Sequence, residues 1–163
     1  TAHRRENFDE PLQNICHALS EIVRRNPDVE IVYPVHLNPN VRKPVYEMLS
    51  DRERVHLLEP MWYLPFVHIM KEAYLVLTDS GGIQEEAPAL GKPVLVMRRE
   101  TERPEAVEAG TVKIVGTDME RIVAETERLL RDEDAYTVMA NEVSPYGDGH
   151  AAEKIVEIIL QKV

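Results

Sequence analysis

The segment from Leu75 to Met97 constrains the fold more than any other part of the sequence. It reads Leu-Val-Leu-Thr-Asp-Ser-Gly-Gly-Ile-Gln-Glu-Glu-Ala-Pro-Ala-Leu-Gly-Lys-Pro-Val-Leu-Val-Met. Its two apolar runs, 75–77 and 94–97, predict short strands, and the residues between them predict a glycine turn followed by a short helix. Asp79 and Ser80 are residue types that cap helix N-termini. The segment therefore predicts a strand–turn–helix–strand unit.

The same alternation of strands and helices continues along the rest of the chain. Further predicted strands are 30–35, 55–58 and 111–115, and predicted helices are 9–25, 41–50, 64–73, 118–130, 133–142 and 150–160. A loop and a short helix fill 98–109. This alternation predicts an α/β domain with a parallel sheet wound on both faces. We also expect one more strand immediately before Thr1.

Composition excludes several classes of function. A chain of 163 residues with 44% apolar residues suits one globular domain. Its net charge of −10 disfavours nucleic acid and anionic membranes as partners. The single cysteine, Cys16, rules out a disulfide framework within the chain and favours a reducing, cytoplasmic setting. We see no membrane-spanning run and no signal peptide.

Four polar clusters follow predicted strands, including the strand expected before Thr1. They are His3–Glu6, His36, Asp79–Gly82 and Arg98–Arg103. Ligands of parallel sheets bind at the carboxyl ends of the strands, so we expect the four clusters to converge on one site.

The Ser80-Gly81-Gly82 turn is the strongest of these candidates. Free N–H groups and the positive end of the helix dipole favour an anion at such a turn, and phosphate is the usual one. An ordinary helix start is the alternative. The turn is neither a G-x-G-x-x-G fingerprint nor a P-loop.

The remaining candidates each have a plainer alternative. Glu86 could accept hydrogen bonds from ribose, or it could share a solvated helix face with Glu85. Phe66 or Trp62 could lie against a base, or both could belong to the core. His36 could contact a ligand or could be an ordinary loop histidine.

The basic residues could bind an anion or could form surface ion pairs. Arginine offers a planar fork for phosphate, and histidine can donate a proton near neutral pH. These residues are His3, Arg4, Arg5, Arg98, Arg99 and Arg103. The sequence contains no metal-ligand spacing and no G-x-S-x-G nucleophile elbow, so we expect no metal site.

Five motifs, in order along the whole chain, resemble those of the non-hydrolysing bacterial UDP-N-acetylglucosamine 2-epimerases. They are Thr-Ala-His-Arg-Arg-Glu-Asn-Phe (1–8), Tyr-Pro-Val-His-Leu-Asn-Pro-Asn (33–40), Thr-Asp-Ser-Gly-Gly-Ile-Gln-Glu-Glu-Ala-Pro (78–88), Thr-Glu-Arg-Pro-Glu (101–105) and Pro-Tyr-Gly-Asp-Gly (145–149). The resemblance implies a GT-B architecture of two Rossmann-like domains. It makes this chain (1–163) a C-terminal UDP-binding domain without its N-terminal partner.

The resemblance also implies a reaction. UDP-GlcNAc would lose UDP to give a 2-acetamidoglucal, and UDP would add back to give UDP-ManNAc, without a metal or redox cofactor. The family's catalytic carboxylates belong to the N-terminal domain, so we expect this chain alone to be inactive. A homodimer is expected for the full-length protein. A GT-B glycosyltransferase, a hydrolysing epimerase and a non-enzymatic nucleotide-sugar-binding module remain alternatives.

The family pattern gives roles to individual residues of this chain. Ser80, Gly81 and Gly82 would bind the diphosphate. Glu86 would bind the ribose hydroxyls, and Phe66 would contact uracil. Arg103 and His3 would reach the phosphate or sugar, with His3 counted as catalytic. Arg4 and His36 would belong to an allosteric UDP-GlcNAc site between the domains.

Overall fold

Short parallel strands alternate with helices, as the sequence predicts. The computed structural model describes residues 1–141, 145–147 and 149–161. The strands are β1 (Ile31–Pro34), β2 (Val55–Leu58), β3 (Val76–Thr78), β4 (Val94–Val96) and β5 (Val112–Ile114). The helices are α1 (Glu10–Arg25), α2 (Pro39–Leu49), α3 (Tyr63–Glu72), α4 (Gly81–Ala89), α5 (Pro104–Glu108), α6 (Met119–Arg131), α7 (Glu133–Asn141) and α8 (Ala151–Gln161). A 3-10 turn covers Arg5–Asn7.

The strands form two parallel sheets where the sequence predicted one. β1 pairs with β2, and β4 lies between β3 and β5. Val76 is in register with Val94, which is in register with Val112. The predicted α/β class is confirmed. The predicted single sheet is divided because β1 and β3 do not pair with each other.

The core lies between the strands and the helices that cover them. All three residues of β4 are fully buried, which explains why this strand reads as an uninterrupted apolar run. α1 packs against α2 and α6 through its apolar face, which includes Leu12, Ile15 and Ile22. A second cluster joins α4 to the β3–β5 sheet. The strands and the helices that cover them thus form the core from which the carboxyl ends of the strands emerge.

The predicted boundaries hold to within a few residues, with one difference in packing. α2 begins at Pro39 because Asn38 caps it, its side chain accepting a hydrogen bond of 2.9 Å from the Asn40 N–H. α8 forms as predicted, but it is exposed along its length and adds nothing to the described core. The predicted end of α7 at residue 142 and Asp148 of the fifth motif lie outside the described residues. Of the helices described, none is long and apolar enough to cross a bilayer.

Candidate functional site

Asp79 joins the first residues of the chain to the end of β3. It is fully buried, and its carboxylate accepts hydrogen bonds from the backbone N–H groups of His3 (2.9 Å) and Arg4 (2.8 Å). The Asn7 side-chain amide donates to the same carboxylate (2.9 Å) and to the Met97 carbonyl (3.0 Å). Two of the predicted polar clusters are therefore held together by one buried acid, with the end of β4 alongside.

The capping role expected of Asp79 and Ser80 is wrong. Ser80 occupies the N-cap position of α4, but its side chain makes no capping hydrogen bond. The carboxylate of Asp79 is engaged by residues 3, 4 and 7, so it is turned away from the helix. The first N–H groups of an α-helix have no partner inside the helix. Since no side chain caps α4, its N-terminus can receive an anion from outside.

The two glycines of the turn have different surroundings. A Cβ on Gly81 would lie 2.8 Å from Glu102 Oε1 and 3.2 Å from an Arg4 guanidinium nitrogen. A Cβ on Gly82 would meet nothing within 4 Å, and Gly82 is exposed. The open approach to the helix N-terminus is therefore over Gly82, whereas Gly81 faces side chains of this chain.

His3 and His36 come together although they are far apart in sequence. Their rings stack with centroids 5.4 Å apart and planes 15° apart. Burial lowers the pKa of His3, Asp79 opposes that shift, and His36, the terminal amine and Arg4 add to it. The Asn38 N–H donates to His36 Nδ1 (3.1 Å), which makes that nitrogen an acceptor. The stacked rings thus lie beside the buried acid, with His3 Nδ1 3.5 Å from an Asp79 carboxylate oxygen.

Three of the arginines that could bind an anion form ion pairs with carboxylates of this chain. Arg5 and Arg99 are exposed. Arg4 donates to Glu102 (2.9 Å), Arg98 to Glu6 (2.5 Å) and to Glu102, and Arg103 to Glu85. In this structure the alternative interpretation of the basic residues is therefore correct for Arg4, Arg98 and Arg103, which form surface ion pairs. An incoming anion would have to compete with these carboxylates for the guanidinium groups.

Glu102 carries the most connections among these carboxylates. Burial opposes its ionisation, but a backbone hydrogen bond and the charges of Arg98 and Arg4 outweigh that effect and lower its pKa. One of its oxygens lies against Gly81. Glu102 therefore keeps a negative charge beside the N-terminus of α4.

The two residues predicted to bind the nucleoside lie on different helices, Glu86 on α4 and Phe66 on α3. The Glu86 carboxylate raises the pKa of the Tyr63 phenol by its charge and by a hydrogen bond. Tyr63 begins α3 and is largely exposed. Phe66 is half-buried against the cluster that includes Ile83 and Ala87, so it is partly a core residue, as its alternative interpretation held. Trp62 is 89% exposed, so the core interpretation of that residue is wrong.

The structure places the predicted site residues around the carboxyl ends of β1, β3 and β4. Sequence reasoning did not identify the structural role of Asp79, or the contributions of Asn7 and Tyr63. The available signal for Asp79 was that it directly follows the apolar run that forms β3. No group of three metal-ligating side chains occurs within the described residues.

Comparison with known proteins places this chain among enzymes of one kind. A family model described as UDP-N-acetylglucosamine 2-epimerase matches residues 1–160. The UDP-N-acetylglucosamine 2-epimerase of Escherichia coli (strain K12) is 59% identical over 159 residues, which are 98% of this chain and 42% of that protein.

Two solved structures extend the comparison to three dimensions. A crystal structure of UDP-GlcNAc 2-epimerase from Neisseria meningitidis bound to UDP-GlcNAc is 52% identical, with a TM-score of 0.94 over 98% of this chain and 43% of that one. The Methanocaldococcus jannaschii enzyme in complex with UDP-GlcNAc and UDP is 34% identical, with a TM-score of 0.81 over 98% of this chain and 44% of that one. The chain thus spans less than half the length of these relatives. It belongs to the UDP-N-acetylglucosamine 2-epimerase family.

Proposed function

We propose that this chain is the C-terminal, UDP-binding domain of a non-hydrolysing UDP-GlcNAc 2-epimerase with two Rossmann-like domains in a GT-B arrangement. The observation that carries the proposal is the uncapped N-terminus of α4, open over Gly82 at the carboxyl end of β3. A diphosphate matches this place because free N–H groups and the helix dipole both favour an anion. The relative from Neisseria meningitidis, bound to UDP-GlcNAc, supports a nucleotide-sugar ligand.

In the proposed reaction, UDP-GlcNAc eliminates UDP to give a 2-acetamidoglucal, and UDP returns to give UDP-ManNAc. The bond to the anomeric carbon breaks as the proton at C2 leaves, so negative charge develops on the departing diphosphate. Preorganised donors at the end of α4 would stabilise that charge. The acids and bases that move the C2 proton would come mainly from the N-terminal domain, and no metal or redox cofactor takes part.

The other site residues surround this anion position. Arg103 would reach the phosphate or sugar after exchanging Glu85 for the ligand, since a diphosphate competes for the same guanidinium group. His3 would act as a catalytic or substrate-binding group. Its lowered pKa favours a neutral imidazole that can accept a proton near pH 7.

Glu86 and Phe66 would hold the nucleoside, with Glu86 on the ribose hydroxyls and Phe66 against uracil. Arg4 and His36 would contribute to an allosteric UDP-GlcNAc site between the domains. The closeness of Arg4 to Gly81 and of His36 to His3 supports communication between that site and the substrate. We further propose a cytoplasmic homodimer for the full-length protein.

Calorimetry and an activity assay test the proposal together. The chain alone should bind UDP and should not convert UDP-GlcNAc. A full-length protein that contains it should form UDP-ManNAc from UDP-GlcNAc without an acceptor. Absence of UDP binding to the chain would overturn the site. Release of free ManNAc would indicate a hydrolysing epimerase, and transfer only to an added acceptor would indicate a glycosyltransferase.

The ribose role of Glu86 can be tested with a paired ligand. Glu86→Gln should weaken UDP binding to this chain about tenfold, because charge-assisted hydrogen bonds to the ribose hydroxyls are lost. Binding of 2′,3′-dideoxy-UDP should change little, since that ligand lacks those hydroxyls. Glu120→Gln, on the exposed start of α6, serves as the control. Equal losses for both ligands would remove Glu86 from the ribose site.

A further inference from the structure

Both backbone polar groups of Ser80 are held by buried side chains. The Ser80 N–H donates to the Thr78 hydroxyl (3.0 Å). The Ser80 carbonyl accepts hydrogen bonds from the Gln84 side-chain amide (3.1 Å) and from the Gln84 N–H (3.3 Å). Thr78 and Gln84 have no exposed surface. The turn before α4 is therefore fixed from the interior of the protein.

The free N–H groups of α4 lie between these two anchors. An α-helix leaves its first N–H groups without a partner inside the helix. In α4 the Gln84 N–H already has such a partner, the Ser80 carbonyl, and the Ser80 N–H is turned toward Thr78. The N–H groups of residues 81–83 are therefore the ones left to bind an anion.

The Gln84 side chain also contacts the loop that follows β4. Its Oε1 accepts a hydrogen bond from the Thr101 hydroxyl. The same hydroxyl accepts a hydrogen bond from the Arg103 N–H (3.0 Å). One buried amide thus joins the turn after β3 to the arginine that directly precedes α5.

Every donor and acceptor in this series has a determined role. A backbone carbonyl can only accept, so the Gln84 amide nitrogen faces Ser80 and the amide oxygen faces Thr101. Because that oxygen can also only accept, the Thr101 hydroxyl donates to it and keeps its lone pairs for the Arg103 N–H. A buried polar group that loses its partner is costly, so the series is held in one arrangement.

The Arg103 backbone is fixed, whereas its guanidinium group has an exchangeable partner. The guanidinium donates to the Glu85 carboxylate and to the Glu102 carbonyl (3.0 Å), and the side chain is half-buried. A phosphate can replace a carboxylate on this planar fork. Because Thr101 holds the Arg103 N–H, the exchange requires movement of the side chain only. The loop can therefore stay in place while Arg103 changes its partner.

We propose that Gln84 and Thr101 are positioning residues of the diphosphate site, which hold the N-terminus of α4 and Arg103 at a fixed separation so that both contact one ligand. This inference rests on the proposed function, because it takes these two groups as the ones that bind the diphosphate. Gln84 is fully buried, so it acts through Ser80 and Thr101. Donors held in advance need no reorganisation as charge develops on the departing diphosphate.

Substitutions of nearly unchanged shape in this chain test the proposal by calorimetry with UDP. Thr101→Val removes the hydroxyl and should raise the Kd about fivefold, the factor that one hydrogen bond carries. Thr101→Ser keeps the hydroxyl and should stay within about twofold of the parent value. Gln84→Met loses the bonds to both Ser80 and Thr101 and should raise the Kd about tenfold.

Two further measurements separate positioning from a general loss of stability. Uridine lacks phosphate, so its affinity, measured by NMR titration, should change by less than about twofold in each variant. Thr101→Val added to Arg103→Gln should raise the Kd for UDP by less than about twofold, because Thr101 acts through Arg103. A substitution that only loosened the fold would weaken uridine as much as UDP and would keep its full effect beside Arg103→Gln.

Thr126→Val is the matched control for Thr101→Val. The Thr126 hydroxyl is buried and donates to the Ile122 carbonyl within α6 (2.8 Å). Its loss removes a buried hydrogen bond of the same kind, so urea unfolding should show a comparable loss of stability. The affinity for UDP should stay at the parent value.

The remaining outcomes decide against the proposal. If the parent chain binds UDP and Thr101→Val binds it equally tightly, or loses affinity for UDP and uridine alike, the proposal fails while the proposed function stands. A full additional loss beside Arg103→Gln would also overturn it, since Thr101 would then not act through Arg103. A parent chain that binds no UDP would overturn both.

Discussion

Asp79→Ala is expected to lower the free energy of unfolding by about 3 kcal/mol, because one buried carboxylate satisfies three donors. These donors are the backbone N–H groups of His3 and Arg4 and the side-chain amide of Asn7. The Asp79 side chain has no exposed surface, so its loss leaves these donors without a partner in the interior. Urea unfolding followed by circular dichroism measures the loss.

Asp118→Ala is the matched control for this prediction. Asp118 is exposed and caps α6 by accepting a hydrogen bond from the Arg121 N–H (2.9 Å). Loss of that cap should cost about 1 kcal/mol. If Asp79→Ala cost no more than this, the carboxylate would not be what holds the first residues of the chain to β3.

The Asp79 variant should also lose UDP affinity, since the segment that carries His3 and Arg4 would be released from the site. Calorimetry at a temperature where the variant remains folded separates this effect from unfolding. Asp79→Asn keeps the shape and one acceptor oxygen, so its losses of stability and affinity should both be intermediate. If the variant were less stable but bound UDP as tightly as the parent chain, the N-terminal segment would not take part in UDP binding.

Much of the fold could be predicted because its signals are local. β4 is an apolar run between Pro93 and a charged loop, and α1 carries an apolar face with helical spacing. Such patterns depend on periods of two and 3.6 residues, which the sequence shows directly. The division into two sheets could not be predicted, because it depends on whether β1 and β3 share an edge. That relation joins residues more than forty positions apart.

The convergence of the polar clusters on one edge was predictable, but the contacts among them were not. Parallel topology alone brings His3, His36 and the Ser80–Gly82 turn to one edge. The direction of the Asp79 side chain was not predictable, because an acid after a strand can cap the next helix or bind an earlier loop. The pairing of Arg4 with Glu102 has the same difficulty, since surface ion pairs depend on side chains 98 residues apart.

The pairing of arginines with carboxylates has a consequence for affinity. Arg4, Arg98 and Arg103 are neutralised by Glu6, Glu85 and Glu102. A ligand diphosphate gains less from these arginines than from free ones, because each contact replaces an existing ion pair. The N–H groups of α4 have no side-chain cap to displace. The helix terminus should therefore dominate anion binding in this chain.

Gly82→Asp tests that conclusion, with opposite expected effects on binding and stability. The new Cβ meets nothing within 4 Å, so the side chain fits, and an acid in the first turn favours the helix by about 0.3–1 kcal/mol. The same carboxylate would compete for the free N–H groups and repel the diphosphate. Two charges 4 Å apart near a surface interact by about 4 kcal/mol. We expect UDP binding to weaken at least about 100-fold, with unfolding unchanged or slightly harder.

Gly82→Asn is the matched control, because it has the same shape without the charge. Its Kd for UDP should stay within about tenfold of the parent value, and Gly82→Ala should lie closer still, since a methyl group adds neither charge nor a competing acceptor. Calorimetry with UDP and urea unfolding of all three variants give both quantities. Because the Asp and Asn side chains have the same shape and Asn lacks the charge, equal affinities would mean that the diphosphate does not bind at the N-terminus of α4. A large loss of UDP affinity in Gly82→Asp alone would show that a negative charge at this position excludes the diphosphate, and so that the diphosphate binds there.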